Sequence, residues 1–165
     1  MKKITANSHS YAAKKRNRKD VKFIIIHYTG NSGDTAVSNG RYFKYTNTRE
    51  AGAHFFVDRD GVIVKSVALN RTAWAVGGKK LNAGGVMHGK ITNANSVSIE
   101  LCDNAGKDPS EAQKKAVIKT IKYIRKYCKN AALVYRHYDV TGKLCPVRLV
   151  DNKLWKAFLD DIGEL

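Results

Sequence analysis

Several things are scarce in this chain of 165 residues, and each scarcity removes a class of protein. There are only two prolines, and 43% of the residues are hydrophobic, a composition that argues against long disordered segments. The three cysteines, Cys102, Cys128 and Cys145, are odd in number and lack paired spacing, which excludes a disulfide-stapled scaffold and leaves a free thiol or a metal ligand. No apolar run approaches the ~20 residues of a membrane span, so membrane insertion is not expected. The opening MKKITANSHSYAAKKRNRKD lacks the continuous apolar stretch of a signal peptide, so the expectation is synthesis in the cytoplasm, with help or lysis needed to reach a cell wall. Acidic residues are few, 14 against 30 Lys and Arg, and the formal charge of +16 predicts attraction to a polyanion. Nucleic acid, anionic lipid and the teichoic acids of a Gram-positive wall all fit that sign, and so does a charge excess that serves solubility.

What is present reads as one α/β domain, a length of this size being enough for a single core. Residues 1–20 are polar and basic and are expected to form a loosely held arm before a domain over 21–165. Val21 to Ile26 is a short β-branched run, the pattern of a strand buried on both faces, and His27 stands at its end. Asp34 is expected to cap a helix over about 35–47. The segment AHFFVDRDGVIVKSV predicts two strands joined by a tight turn at Arg59, Asp60 and Gly61. Residues 68–95, with five glycines, predict a long irregular loop able to line a cleft. Ser96 to Cys102 alternates strictly, with Glu100 in mid-strand. A helix from Asp108-Pro109 to about Cys128, a strand over 131–135, a loop over 136–148 and a helix over about 151–162 complete a central mixed sheet flanked by helices.

His27 and His137 each follow an apolar run near a strand end, where open α/β sheets build their sites. Cys145 lies eight residues after His137. Two imidazoles and a thiolate would give zinc three protein ligands and leave the fourth position for water, although spacing this loose is not specific by itself. A strand-end hydrogen bond for His27, a surface loop for His137 and a buried hydrophobe for Cys145 are the ordinary alternatives. Glu100 is a stronger candidate, because a mid-strand carboxylate costs several kcal/mol of desolvation unless paired, hydrogen-bonded or near a metal. An arginine-paired or solvent-facing glutamate is the alternative.

The strings IIIHYTG (24–30), GAHFFVDRDG (52–61), RTAWAVGG (71–78), NSVSIELC (95–102) and YRHYDVTGKLCP (135–146) together resemble the type 2 N-acetylmuramoyl-L-alanine amidases. That family includes phage endolysins and bacterial autolysins and is related to the peptidoglycan recognition proteins. The resemblance implies zinc held by His27, His137 and Cys145, with Glu100 as general base and then acid, and Lys143 beside the tetrahedral intermediate. It also implies hydrolysis of the bond between N-acetylmuramic acid and L-alanine. His54 matches a histidine near the family's cleft, and Trp74, Asn95 and His88 are further candidates for contact with glycan and peptide. Two positions depart from the pattern. Ala53 stands where some members have a tyrosine beside the metal, and Ala75 where many have a histidine. The expectation is therefore a monomeric phage or prophage endolysin acting on peptidoglycan, with anionic wall polymers as a further partner and no nucleic acid. The rival is a peptidoglycan-binding module that does not cut.

Overall fold

The computed structural model describes residues 1–165 and contains twelve regular elements. They are β1 (Lys2–Lys3), β2 (Tyr11–Lys15), β3 (Phe23–Tyr28), α1 (Ala36–Tyr45), β4 (Phe55–Val57), β5 (Ile63–Lys65), β6 (Arg71–Ala73), β7 (Ser96–Leu101), α2 (Glu111–Tyr127), β8 (Leu133–Arg136), α3 (His137–Thr141) and α4 (Asn152–Asp161). Six strands form one mixed sheet in the order β1-β5-β4-β7-β3-β8, and β2 and β6 form a separate antiparallel pair. The single-domain α/β sheet flanked by helices expected from the sequence is the observed architecture.

Strands β4, β7, β3 and β8 run parallel, with β3 central enough to pair on both sides. Its run of Ile24, Ile25 and Ile26 is fully buried, as a strand covered on both faces requires. One face carries the main core, in which Ile24, Ile26, Phe55, Val97, Ile99 and Leu101 meet α2 and α4 through Val117, Ile121, Ile124, Trp155 and Phe158. The other face is covered by α1 over Phe56 and Val64, and by the 68–95 segment, whose Val76 and Ile91 pack with Ile25 and Val140. Parallel register aligns His27 with Glu100 and Glu100 with Phe56, so these three side chains project from one row of this second face.

The β4–β5 hairpin turns as expected, with Gly61 at φ +81° and Asp58 receiving the Val62 N–H on its carboxylate. A Cβ at Gly61 would also meet the carbonyl oxygen of Ala112 at 3.0 Å. Two local expectations need correction. Helix α1 is capped by Thr35, which exchanges a capping box with Ser38, and not by Asp34. Asp34 instead accepts from the Asp103 backbone N–H at 2.5 Å and from the Asn39 side chain at 2.7 Å, tying the start of the helix to the end of β7.

Nor is the segment over residues 1–20 a loosely held arm. Its β1 adds to β5, Ile4 and Ala6 donate to Lys65 and Ser66, and β2 pairs with β6. Backbone pairing does the holding, with Ile4, Ala6 and Tyr11 packed beneath while the lysines point to solvent, and the basic composition of the segment masks these few apolar contacts. Arg16 is the anchor. Its guanidinium donates to the carbonyls of Leu69, Asn93, Ala94 and Ser96, satisfying a turn that would otherwise expose or bury lone acceptors. Replacing Arg16 by alanine strands these carbonyls and is expected to cost about 3 kcal/mol of unfolding free energy in urea titration. A loss below about 0.5 kcal/mol would show that the anchor is dispensable.

Candidate metal centre and cleft

The C-terminal ends of β3, β7 and β8 converge on one point. His27 comes from the next-to-last residue of β3, Glu100 from its partner position on β7, and His137 from the first residue of α3, directly after β8. Helix α3 ends at Gly142, whose φ of +81° lets the chain turn back into the loop that brings Cys145 beneath His27. The Tyr138 N–H donates to the Cys145 carbonyl, and the Tyr28 N–H donates to Cys145 Sγ at 3.4 Å, so the backbone fixes the thiol.

Potential donor atoms of His27, His137 and Cys145 all lie within 4.8 Å of one another, and all three residues are buried. Cys145 Sγ is 3.9 Å from His27 Nδ1, which is 3.8 Å from Glu100 Oε1, and the two imidazole centroids are 4.6 Å apart. Burial, followed by the field of His137, Lys143 and His54, holds His27 well below its ordinary pKa. Burial and then Lys143 bring His137 down to about 4. Both rings are therefore neutral with lone pairs free at pH 7. Burial and the Glu100 carboxylate push the Cys145 thiol up. Burial raises Glu100 to about 7 against the opposing pull of Lys143.

His27 Nε2, both ring nitrogens of His137 and Glu100 Oε2 are buried without hydrogen-bond partners. Buried polar atoms are ordinarily satisfied, and this many orphans at one point fit a cation that the protein's own donors surround. Two imidazoles and a thiol suit zinc by ligand type, and three protein ligands leave a position open for chemistry.

Beside this cluster opens a cleft of about 500 Å³ that reaches Glu100 and Lys143 and runs along α1 past Asn39, Tyr42 and Arg49. Sequence reasoning did not identify the α1 wall. The signal was there in the weak apolar stripe of that helix, whose Ser38, Asn39 and Tyr42 face the cleft rather than the core.

The family model for N-acetylmuramoyl-L-alanine amidase matches residues 17–148. The chain belongs to that family. Among curated amidases of Bacillus subtilis, XlyB is 28% identical over 159 residues, covering 94% of this chain and 46% of XlyB. XlyA is 33% identical over 145 residues, covering 86% of this chain and 44% of XlyA. The chain thus spans less than half the length of either relative. The solved structure of the XlyA catalytic domain superposes with a TM-score of 0.74 at 26% identity, covering 98% of both chains.

Within this amidase-family fold, none of the four expected contacts His54, Trp74, His88 and Asn95 is among the residues lining the hollow beside Glu100. His54 belongs to the row below Glu100, where it is buried against Ser98, with Nδ1 3.1 Å from Oγ, and flanked by Arg16 and the Arg71 carbonyl. Its polar atoms are used up by the fold. Asn95 closes a turn by accepting from the Thr92 N–H and donating to the Lys90 carbonyl, at the opposite end of β7 from Glu100. Trp74 borders a separate hollow with Glu50 and Asn93, and His88 is exposed with Nε2 near the Gly78 carbonyl. Neither lines the cleft of Glu100.

Burial, then the neighbouring Arg16 guanidinium, holds His54 down at about 3 from its ordinary 6.5. An unfolded chain takes up a proton there below about pH 6.5 that the folded chain refuses until about 3. This histidine therefore contributes stability that is complete above about 6.5 and is lost as pH falls toward 3. Unfolding free energies measured from pH 8 to 4 should drop more in the wild type than in His54→Gln, by on the order of 2 kcal/mol. Equal slopes would rule out His54 as a source of acid sensitivity.

Proposed function

We propose that this chain is a zinc-dependent N-acetylmuramoyl-L-alanine amidase of the endolysin and autolysin type. Its substrate is the amide joining the lactyl group of N-acetylmuramic acid to L-alanine in peptidoglycan. The observation that carries the reading is the convergence of His27, His137 and Cys145 with an unpaired carboxylate oxygen of Glu100 at the end of an open cleft. His27, His137 and Cys145 would hold the ion, and Zn²⁺ so bound supplies Lewis acidity and a water acidified to a pKa of ~7.

The chain's own groups account for the proton transfers. Glu100 is fixed by strand pairing beside the cluster, with one oxygen toward His27 and the other unpartnered, so it can take a proton from the attacking water. The same carboxyl must return that proton to the alanine nitrogen, because an amine leaves far more readily than an amide anion. The low-dielectric position that raises its pKa suits both halves of this exchange. Lys143 enters the cleft from the loop that carries Cys145, where its ammonium can stabilise negative charge developing on the carbonyl oxygen. Phage or prophage origin and action as a monomer belong to the same proposal. Nothing in the site favours the binding-only alternative, which would dispense with the base and the metal ligands alike.

The test is release of new L-alanine amino groups from purified wall. Glu100→Gln should keep its metal content and its thermal midpoint while losing about 10²- to 10⁴-fold in rate. Cys145→Ser should lose both metal and activity, and chelation should stop the wild type until Zn²⁺ is restored. Release that continues undiminished in chelator, or wall binding with no new amino groups, would overturn the proposal.

A further inference from the structure

Most of the positive charge is remote from the cleft and unpaired, and part of it is organised. At the opposite end of the sheet, where β3 and β8 begin and α2 ends, two adjoining hollows of about 520 and 270 Å³ share Arg18, Asn70 and Tyr127. Lys19 and Lys129 border the larger and Lys65 the smaller, and no carboxylate lines either. The chain's ion pairs are made by other residues, so these four cations have no acidic partner within 4 Å.

The surface is held in shape from beneath. Lys65 Nζ donates to the Tyr123 hydroxyl at 2.8 Å, Arg18 lies 5.8 Å from the Tyr127 ring centroid, and Asn130 donates to the Lys19 carbonyl at 2.8 Å. The Arg16 anchor fixes the segment that carries Arg18 and Lys19. Asp20, next to Lys19 in the chain, is an acidic group close to this cluster but lines neither hollow, so positive charge is in excess there and an anionic ligand laid among the cations relieves their mutual repulsion.

We infer that this groove binds a linear phosphodiester polymer of the teichoic-acid type, tethering the chain to the wall while the cleft at the other end stays free. The inference rests on the reading of the cleft as acting on wall. Two joined hollows suit an elongated, repeating anion rather than a compact one, and a nucleic-acid duplex is too wide to enter them. Arg18 offers a planar fork for phosphate oxygens, while Asn17, Asn70 and Asn130 offer amides to the polyol hydroxyls between phosphates. Base stacking, on which single-stranded nucleic acid depends, would have to displace the cations already set around Tyr127.

The experiment measures binding to purified Gram-positive walls, native or acid-stripped of their anionic polymer, in a Glu100→Gln background that leaves the wall intact. Native walls should be bound about 10-fold more tightly than stripped ones, with the difference disappearing in 1 M salt. Arg18→Glu/Lys19→Glu/Lys129→Glu should abolish the preference. Lys115→Glu/Lys153→Glu/Lys156→Glu, an equal charge change on exposed helix surfaces, should keep most of it. Lys129→Ala alone should lose about 3-fold, which covers the case in which the triple variant folds poorly. Equal losses in the two triples, or no effect of stripping, would overturn the inference. So would a groove variant that loses affinity for a single-stranded oligodeoxynucleotide but not for wall. With Glu100 restored, the groove triple should cleave a soluble muramyl peptide at the wild-type rate. Failure of the wild type on that peptide would sink the amidase reading while the binding comparison still reports on the groove.

Discussion

Strand register governs this molecule. Because β3 and β7 run parallel with Ile26 opposite Ile99, the next pair along must be His27 and Glu100, and both must project from the face opposite the main core. A slip of one residue would send the imidazole into the packing around α2 and α4 and leave the carboxylate facing a different neighbour. The isoleucines that precede His27 therefore do more than fill space. They lock the alignment that sets the Glu100 carboxylate beside the His27 imidazole, and burial of the same row gives both groups their altered proton affinities.

Around that row the chain separates two surface features by distance. The ends of the parallel strands carry the cleft, whose polar wall comes from α1. The beginnings of the same strands carry the basic groove, formed by the segment before β3 and the turn after α2. Between Phe23 and His27 the strand advances roughly 13 Å, at ~3.3 Å per residue. The cleft and the basic groove thus occupy different surfaces of the molecule.

The sequence disclosed the parts of this arrangement that depend on side-chain type at fixed spacing. The β-branched run ending in His27, the Asp-Gly hairpin and the alternating strand around Glu100 were legible because each pattern has a local physical cause. The grouping of His27, His137 and Cys145, whose donor atoms lie within 4.8 Å of one another, was suggested by ordered strings whose members are far apart in the chain. What stayed hidden depends on partners that no local pattern names. Strand β1 is two residues long and joins the sheet through its backbone, so Lys2 and Lys3 read as a solvated tail. Asp34 has the chemistry of a helix cap, but the Asp103 amide competes for it and Thr35 takes the position. His54 and Asn95 look like recognition residues until Ser98 and the Thr92 turn are seen to consume their hydrogen-bonding capacity.

The contact between Gly84 and Tyr138 extends this reasoning to the long loop. A β-carbon at Gly84 would run into the tyrosine ring, and one at Gly142 would lie 2.5 Å from the Asn82 side chain. Tyr138 follows His137 directly, and Gly142 ends the short helix that leads from His137 toward Cys145. The glycine-rich segment is thus keyed from both sides into the stretch that carries His137 and Cys145. Insertions that lengthen its exposed tip can be absorbed by solvent, whereas added bulk at the keyed glycines is transmitted to the placement of His137 and Cys145.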